Sequence, residues 1–126
     1  VATELVSGDT PELADVLPLL RQLARSQENV VLYELMLHAR GNTDLRERLA
    51  PIIKSQRALA YQIGASHPAL QTLPQPVVQA AVSLLVLAFD GEALVHTVCP
   101  DPALDEARLQ LLLAAARLAT PRRASS

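Results

Sequence analysis

His96 and Cys99 stand one helical turn apart, a spacing at which two side chains can share a metal ion. A metal centre needs three or four ligands, and the only other nitrogen donors of this kind, His38 and His67, fall at no ligand spacing to them. Cys99 is the single cysteine; it precedes Pro100, leaves no partner for an internal disulfide, and fits a reducing compartment. No Ser/His/Asp order, glycine-rich phosphate loop or paired-carboxylate cleft is readable. The expectation is therefore no catalytic residue, no metal and no cofactor, and a protein that is not an enzyme.

A different chemistry is better motivated. Gln56 interrupts an apolar stripe between Ile52 and Leu59, and an amide on a core-facing stripe must be hydrogen-bonded to protein or to something bound there. Arg57, beside Ile53 and Ala60, is placed to reach the same space. Tyr33, Met36, Tyr61 and Phe89 supply nearly all the bulky soft surface in a chain that is only 2% aromatic. An apolar cavity with a few convergent polar groups is the usual form of a small-molecule site. The expected ligand-binding set is Tyr33, Met36, Gln56, Arg57, Ala60, Tyr61, Val82, Leu85, Phe89 and His96. His38, with Val31 and Leu35, is a weaker candidate.

Helices must position these residues. Thr10-Pro11-Glu12, Asn42-Thr43-Asp44 and Asp101-Pro102-Ala103 each set a capping side chain before a first turn. Two of the three have proline at the first helical position, where its missing N–H costs nothing. Acidic Glu12, Asp44 and Asp105 follow near the positive end of each helix dipole. The pattern predicts five helices, over about residues 11 to 25, 28 to 40, 43 to 65, 74 to 98 and 102 to 119. Pro18 is expected to kink or split the first, and Pro51 to bend the third. Gly41 is expected to end the second as a left-handed cap. Residues 66 to 76, with Pro68, Pro74 and Pro76, form a loop, and no strand pattern or internal repeat is present.

The fourth helix is apolar on more than one side. Ala80, Leu84, Leu87, Gly91, Leu94 and Val98 make a heptad-like seam, with Gly91 permitting close approach of a second helix. Val78, Val82, Leu85 and Phe89 make a second stripe that continues to Glu92 and His96 and faces the core and cavity. The stripe through Gln79, Ser83, Val86, Asp90, Ala93 and Thr97 is the most polar, so Asp90 is expected in solvent. The last helix repeats the pattern, with Leu109, Leu112 and Ala116 on one stripe and Leu104, Leu111, Ala115 and Leu118 on another. Two doubly apolar neighbours need partners, and pairing with their symmetry mates makes an intermolecular four-helix bundle. The expected dimer interface is Leu84, Leu87, Gly91, Leu94, Val98, Leu109, Leu112 and Ala116.

Bulk properties agree. At 126 residues the chain fits one domain, half of it apolar, with Leu, Val and Ala carrying the core. A net charge of −2 without a basic stripe, and too few aromatics for base stacking, make this chain alone a poor nucleic-acid binder. No uninterrupted apolar run reaches transmembrane length, since Val77 to Phe89 already contains Gln79 and Ser83 and then meets Asp90. No membrane partner is expected, and the localisation is expected to be cytoplasmic. The opening Val1-Ala2-Thr3, with no initiator Met, predicts a chain cut from a longer protein.

Taken together, the chain resembles the C-terminal regulatory domain of TetR-family transcriptional regulators. The resemblance rests on Gly41-Asn42-Thr43-Asp44-Leu45-Arg46-Glu47-Arg48-Leu49 entering a long helix and on the proline-containing loop after it. It continues in Phe89-Asp90-Gly91-Glu92-Ala93-Leu94, and in Asp101-Pro102-Ala103-Leu104-Asp105 opening a terminal Leu/Ala helix. It covers essentially everything from about Pro11 onward and implies residues 10 to 120 as the regulatory domain. Residues 1 to 9 are then a linker or the end of an upstream helix, and 121 to 126 a flexible tail.

The family's N-terminal helix-turn-helix is not in this chain, so contact with DNA is expected only through that missing part. The resemblance implies a homodimeric repressor that binds a small lipophilic effector among its second, third and fourth helices. Ligand preference for one arrangement of the first helix and Val1 to Gly8 would shift the DNA-reading heads. The alternative is a helical protein–protein interaction module without a pocket.

Overall fold

A cap or a proline marks most of the helix starts. In the computed structural model, which describes residues 12–119, the described chain is all-α, with five helices and no strand. They are α1 (Leu13–Ala24), α2 (Gln27–Ala39), α3 (Thr43–Ser66), α4 (Gln75–Val98) and α5 (Pro102–Ala119), with a short 3-10 turn at Pro68–Leu70. Asn42 Oδ1 accepts from the Leu45 N–H at 3.1 Å, and Asp101 Oδ1 accepts from the Leu104 N–H at 3.1 Å, so both expected caps satisfy a donor that the helix leaves free. Ser26 caps α2 in the same way, accepting from the Asn29 N–H at 3.3 Å. The expected first cap, Thr10-Pro11, lies outside the described residues, as do the linker 1 to 9 and the tail 121 to 126. Here Glu12, in extended conformation, precedes the first helical residue, Leu13.

One backbone expectation is corrected. Gly41 is not left-handed. The chain instead leaves α2 through tightened i to i−3 bonds, from Arg40 to Leu37, Gly41 to His38 and Asn42 to Ala39, each at 3.3 Å, which need no positive φ. Arg46 completes this end by donating from Nε to the Ala39 carbonyl and from Nη2 to the Arg40 carbonyl. Of the two alternatives at Pro18, splitting is excluded, since α1 runs through it, and α3 likewise runs through Pro51.

The core is built around α1, which packs against both α4 and α5; α3 packs against α2 and α4. Leu17 and Ala24 of α1 meet Phe89 and Ala93 of α4 and Leu109 and Ala116 of α5 in one buried cluster, with Leu85 and Leu112 packed at its edge. Leu109, Leu112 and Ala116, expected at a dimer seam, are therefore consumed by the domain's own core. Both stripes of α5 are apolar, and the one facing α1 is this one. The stripe left open carries Leu104, Leu111 and Leu118, the last 89% exposed. On α4 the expected seam is largely open: Leu84 is 70% exposed, Val98 is 86% exposed, and Leu87 and Gly91 are exposed, while Leu94 is half-buried.

The close helix crossing within the chain lies elsewhere. At Gly64 of α3, a Cβ would come within 2.6 Å of Val82 Cγ2 on α4, whereas at Gly91 it would meet nothing within 4 Å. By length and composition α4 is capable of crossing a bilayer, with a mean hydropathy of 1.7 over its best window. Counting uninterrupted apolar runs misses this, because Gln79 and Ser83 break the run without lowering the average enough. Both acids of α4, however, are turned into the domain and bonded there.

Candidate ligand cavity and its flanking charge cluster

Between α1, α2, α3 and α4 lies a cavity of about 220 Å³. Tyr33 and Met36 reach it from α2, Gln56, Arg57, Ala60 and Tyr61 from α3, and Phe89 from α4. Leu20, Leu23 and Ala24 of α1, Leu32 of α2, Ile53 of α3 and Val86 and Leu87 of α4 complete most of the apolar wall. The helix spacing explains the α3 contribution: Ile53, Gln56, Arg57, Ala60 and Tyr61 recur at three- and four-residue steps and so share one face.

Three expected members are absent from the lining. Val82 is taken up by the crossing at Gly64, and Leu85 packs at the edge of the core cluster. His96 lies on the other side of α1's contact with α4, with Nδ1 3.4 Å from Asp105 Oδ2. All three belong to the stripe that continues Val78, of which only Phe89 reaches the cavity. His38, exposed on α2, is also outside it.

The cavity face of α4 is instead Ser83, Val86, Leu87, Phe89 and Asp90. Asp90, expected in solvent, is only 8% exposed. Asn29 Nδ2 donates to Asp90 Oδ1 at 2.9 Å, and the Tyr33 hydroxyl donates to Asp90 Oδ2. Asn29 also donates to the Ala24 carbonyl at 2.9 Å, so one amide ties the last turn of α1 to the wall of α4. Burial pushes the Tyr33 phenol well above its ordinary range, the bond to Asp90 and the nearby carboxylate push it further, and Arg57 opposes them. Tyr33 therefore stays a donor at all ordinary pH values. Asn29 and Asp90 are members that the sequence did not reveal.

Two residues along, Glu92 has entirely different company. Its side chain is 5% exposed and meets Arg21 Nε at 2.7 Å, Arg25 Nη2 at 3.1 Å and Arg108 Nε at 3.1 Å. Asp105 of α5 joins them: its carboxylate accepts from Arg25 Nη2 at 3.0 Å and from Arg108, and its backbone carbonyl accepts from Arg21. Burial pushes the Asp105 carboxyl up, but the bonds and charges of Arg25 and Arg108, with help from His96, outweigh it and hold the carboxyl below its usual range. Arg21 also lies over the Phe89 ring, 5.9 Å from its centre. This cluster pins α1, α4 and α5 to one another. Among the described residues no three His, Cys, Asp or Glu side chains are grouped to hold a metal ion.

With this geometry in hand, the chain's likeness to known proteins can be read. It is 33% identical over 109 residues to the uncharacterized HTH-type transcriptional regulator Rv2912c of Mycobacterium tuberculosis. The same identity and length hold for the uncharacterized HTH-type transcriptional regulator Mb2936c of Mycobacterium bovis. In both cases the match covers 86% of this chain and 56% of the relative, so the chain spans about half the length of the curated relatives it matches. No family model matches the chain, and no solved structure matches it.

Proposed function

We propose that this chain is the effector-sensing and homodimerisation domain of a TetR-type transcriptional regulator, a repressor whose DNA-reading helix-turn-helix lies outside these residues. The observation that carries the reading is the cavity. Expected from residue types on three separate helices, seven side chains, Tyr33, Met36, Gln56, Arg57, Ala60, Tyr61 and Phe89, surround one space between α1, α2, α3 and α4. The relatives' printed names supply the regulatory context.

The path from ligand to DNA runs through α1. This helix lines the cavity with Leu20, Leu23 and Ala24, and its last turn is held by Asn29, which also holds Asp90. A ligand that prefers one setting of α1 shifts whatever is joined ahead of it. Dimerisation is supported by the open apolar stripes of α4 and α5, Leu84, Leu87 and Val98 on one and Leu104, Leu111 and Leu118 on the other. Exposed apolar stripes of this kind mark interaction surfaces. A cytoplasmic, non-enzymatic protein is part of the same proposal.

The test uses the full-length regulator and its operator. An effector that occupies the cavity is expected to change operator affinity by about five- to 150-fold, the usual size of allosteric coupling. Saturation of the cavity with operator affinity unchanged sinks the sensing role. Sedimentation gives the second arm: Leu84→Glu with Leu111→Glu is expected to turn a dimer into a monomer, and a chain already monomeric at micromolar concentration removes the dimer.

A further inference from the structure

We propose that the cavity takes a small lipophilic cation, an amine or quaternary ammonium with an apolar tail, with Asp90 as its counter-charge. This rests on the effector-binding reading and names the ligand class. Asp90 is a carboxylate 8% exposed on the cavity wall, and its two oxygens are held only by a neutral amide and a neutral hydroxyl, from Asn29 and Tyr33. No ion pair among the described residues reaches it. Two positions away the Glu92 side chain, 5% exposed, is given three guanidinium groups. A buried carboxylate without a cation is costly, and a cationic guest removes that cost on binding.

A second observation points the same way. The whole chain has two tyrosines, one phenylalanine and no tryptophan, and all three aromatic residues line this one cavity. Aromatic faces attract cations, and more strongly in a desolvated site. Arg21 already uses the Phe89 ring in this way from the α1 side. Apolar groups of Leu20, Met36 and Val86 offer the remainder of the wall to a hydrocarbon tail. An anionic guest meets the opposite field: Asp90 repels it from the buried wall, and its only recourse is Arg57, an exposed side chain whose charge water screens. The cavity volume of about 220 Å³ restricts the guest to a small molecule.

Three probes of one length and three charges decide the matter: 4-phenylbutylamine, 4-phenylbutanol and 4-phenylbutyrate, titrated calorimetrically into the 126-residue chain at neutral pH. The amine is expected to bind about tenfold tighter than the alcohol, with the carboxylate weakest, since a cation–π contact between the exposed and the fully desolvated limits is worth about that factor. In Asp90→Asn, which keeps one acceptor oxygen for Asn29 and turns an N–H donor to the Tyr33 hydroxyl oxygen, the amine is expected to fall to the affinity of the alcohol, with helical content checked by circular dichroism. If that variant does not fold, the ranking on the unsubstituted chain still decides. A carboxylate that binds best, three equal affinities, or an amine indifferent to Asp90→Asn overturns the charge assignment while leaving the cavity a ligand site. Absence of binding by all three overturns the cavity itself, and the ligand class with it.

Discussion

Asp90 and Glu92 share a helix, and both turn their carboxylates away from water, but the two are solvated by opposite means. Two positions on a helix turn side chains to nearly opposite sides, so the pair looks out on different neighbours. Glu92 faces α1 and α5 and is neutralised by Arg21, Arg25 and Arg108. Asp90 faces α2 and the cavity, and it receives two hydrogen bonds and no charge. The first arrangement closes a surface, because both carboxylate oxygens are engaged by guanidinium groups from two other helices. The second is held by two neutral donors beside an open space. The difference separates a part of the domain built to hold still from a part with room for something else.

Breaking Glu92 should have the largest effect. Glu92→Gln leaves three guanidinium groups sharing Asp105 alone, and a cost of about 3 kcal/mol is expected, read as a lower denaturation midpoint with unchanged slope. Tyr33→Phe removes one neutral donor from Asp90 and should cost about 1.5 kcal/mol in the same measurement. If Tyr33→Phe proves as damaging as Glu92→Gln, the two acids are not held differently and the contrast collapses.

Titration sharpens it further. The Asp105 carboxyl is held below its unfolded value, so the stability it contributes is present above the ordinary carboxylate range and lost as pH falls through its lowered folded value. Asp105→Asn should flatten that acid limb. The Tyr33 phenol is raised above its unfolded value of 10.0, so its contribution is full below that pH and declines as pH rises toward the folded value. Tyr33→Phe should reduce the alkaline loss and leave the acid limb alone. The charge cluster thus weakens in acid and the cavity wall in alkali, a distinction that thermal melts across pH would reveal.

The smallest effect is expected at Gly64. Alanine there gains helix propensity of up to about 1 kcal/mol but drives a methyl against Val82, an overpacking that costs more, leaving a net loss of about 1 kcal/mol. Gly91→Ala, with nothing nearby, should instead stabilise the single chain by up to about 1 kcal/mol. A melting temperature that moves the same way in both variants contradicts the placement of the crossing at Gly64.

The helices were legible because their punctuation is local. Asn42 and Asp101 cap the residue three positions on, and the cavity face of α3 follows from three- and four-residue steps alone. Asp90 departs from its stripe for the complementary reason. Counting stripes treats a polar letter as a wet one, and the donors that make its burial tolerable, Asn29 and Tyr33, lie about sixty positions earlier in the chain. His96 was drawn to the cavity because its stripe is apolar, although Asp105 on the next helix holds it elsewhere. On α5 both stripes are rich in leucine, so hydrophobicity cannot say which one α1 covers; only the packing around Leu17 decides it.

The missing methyl at Gly64 also has a bearing on how such a domain diversifies. The crossing with Val82 stands just beyond the stretches of α3 and α4 that wall the cavity, Ile53 to Tyr61 and Ser83 to Asp90. A larger residue there acts as a shim at one end of two facing beams. It can alter the gap between them without changing a single atom of the lining.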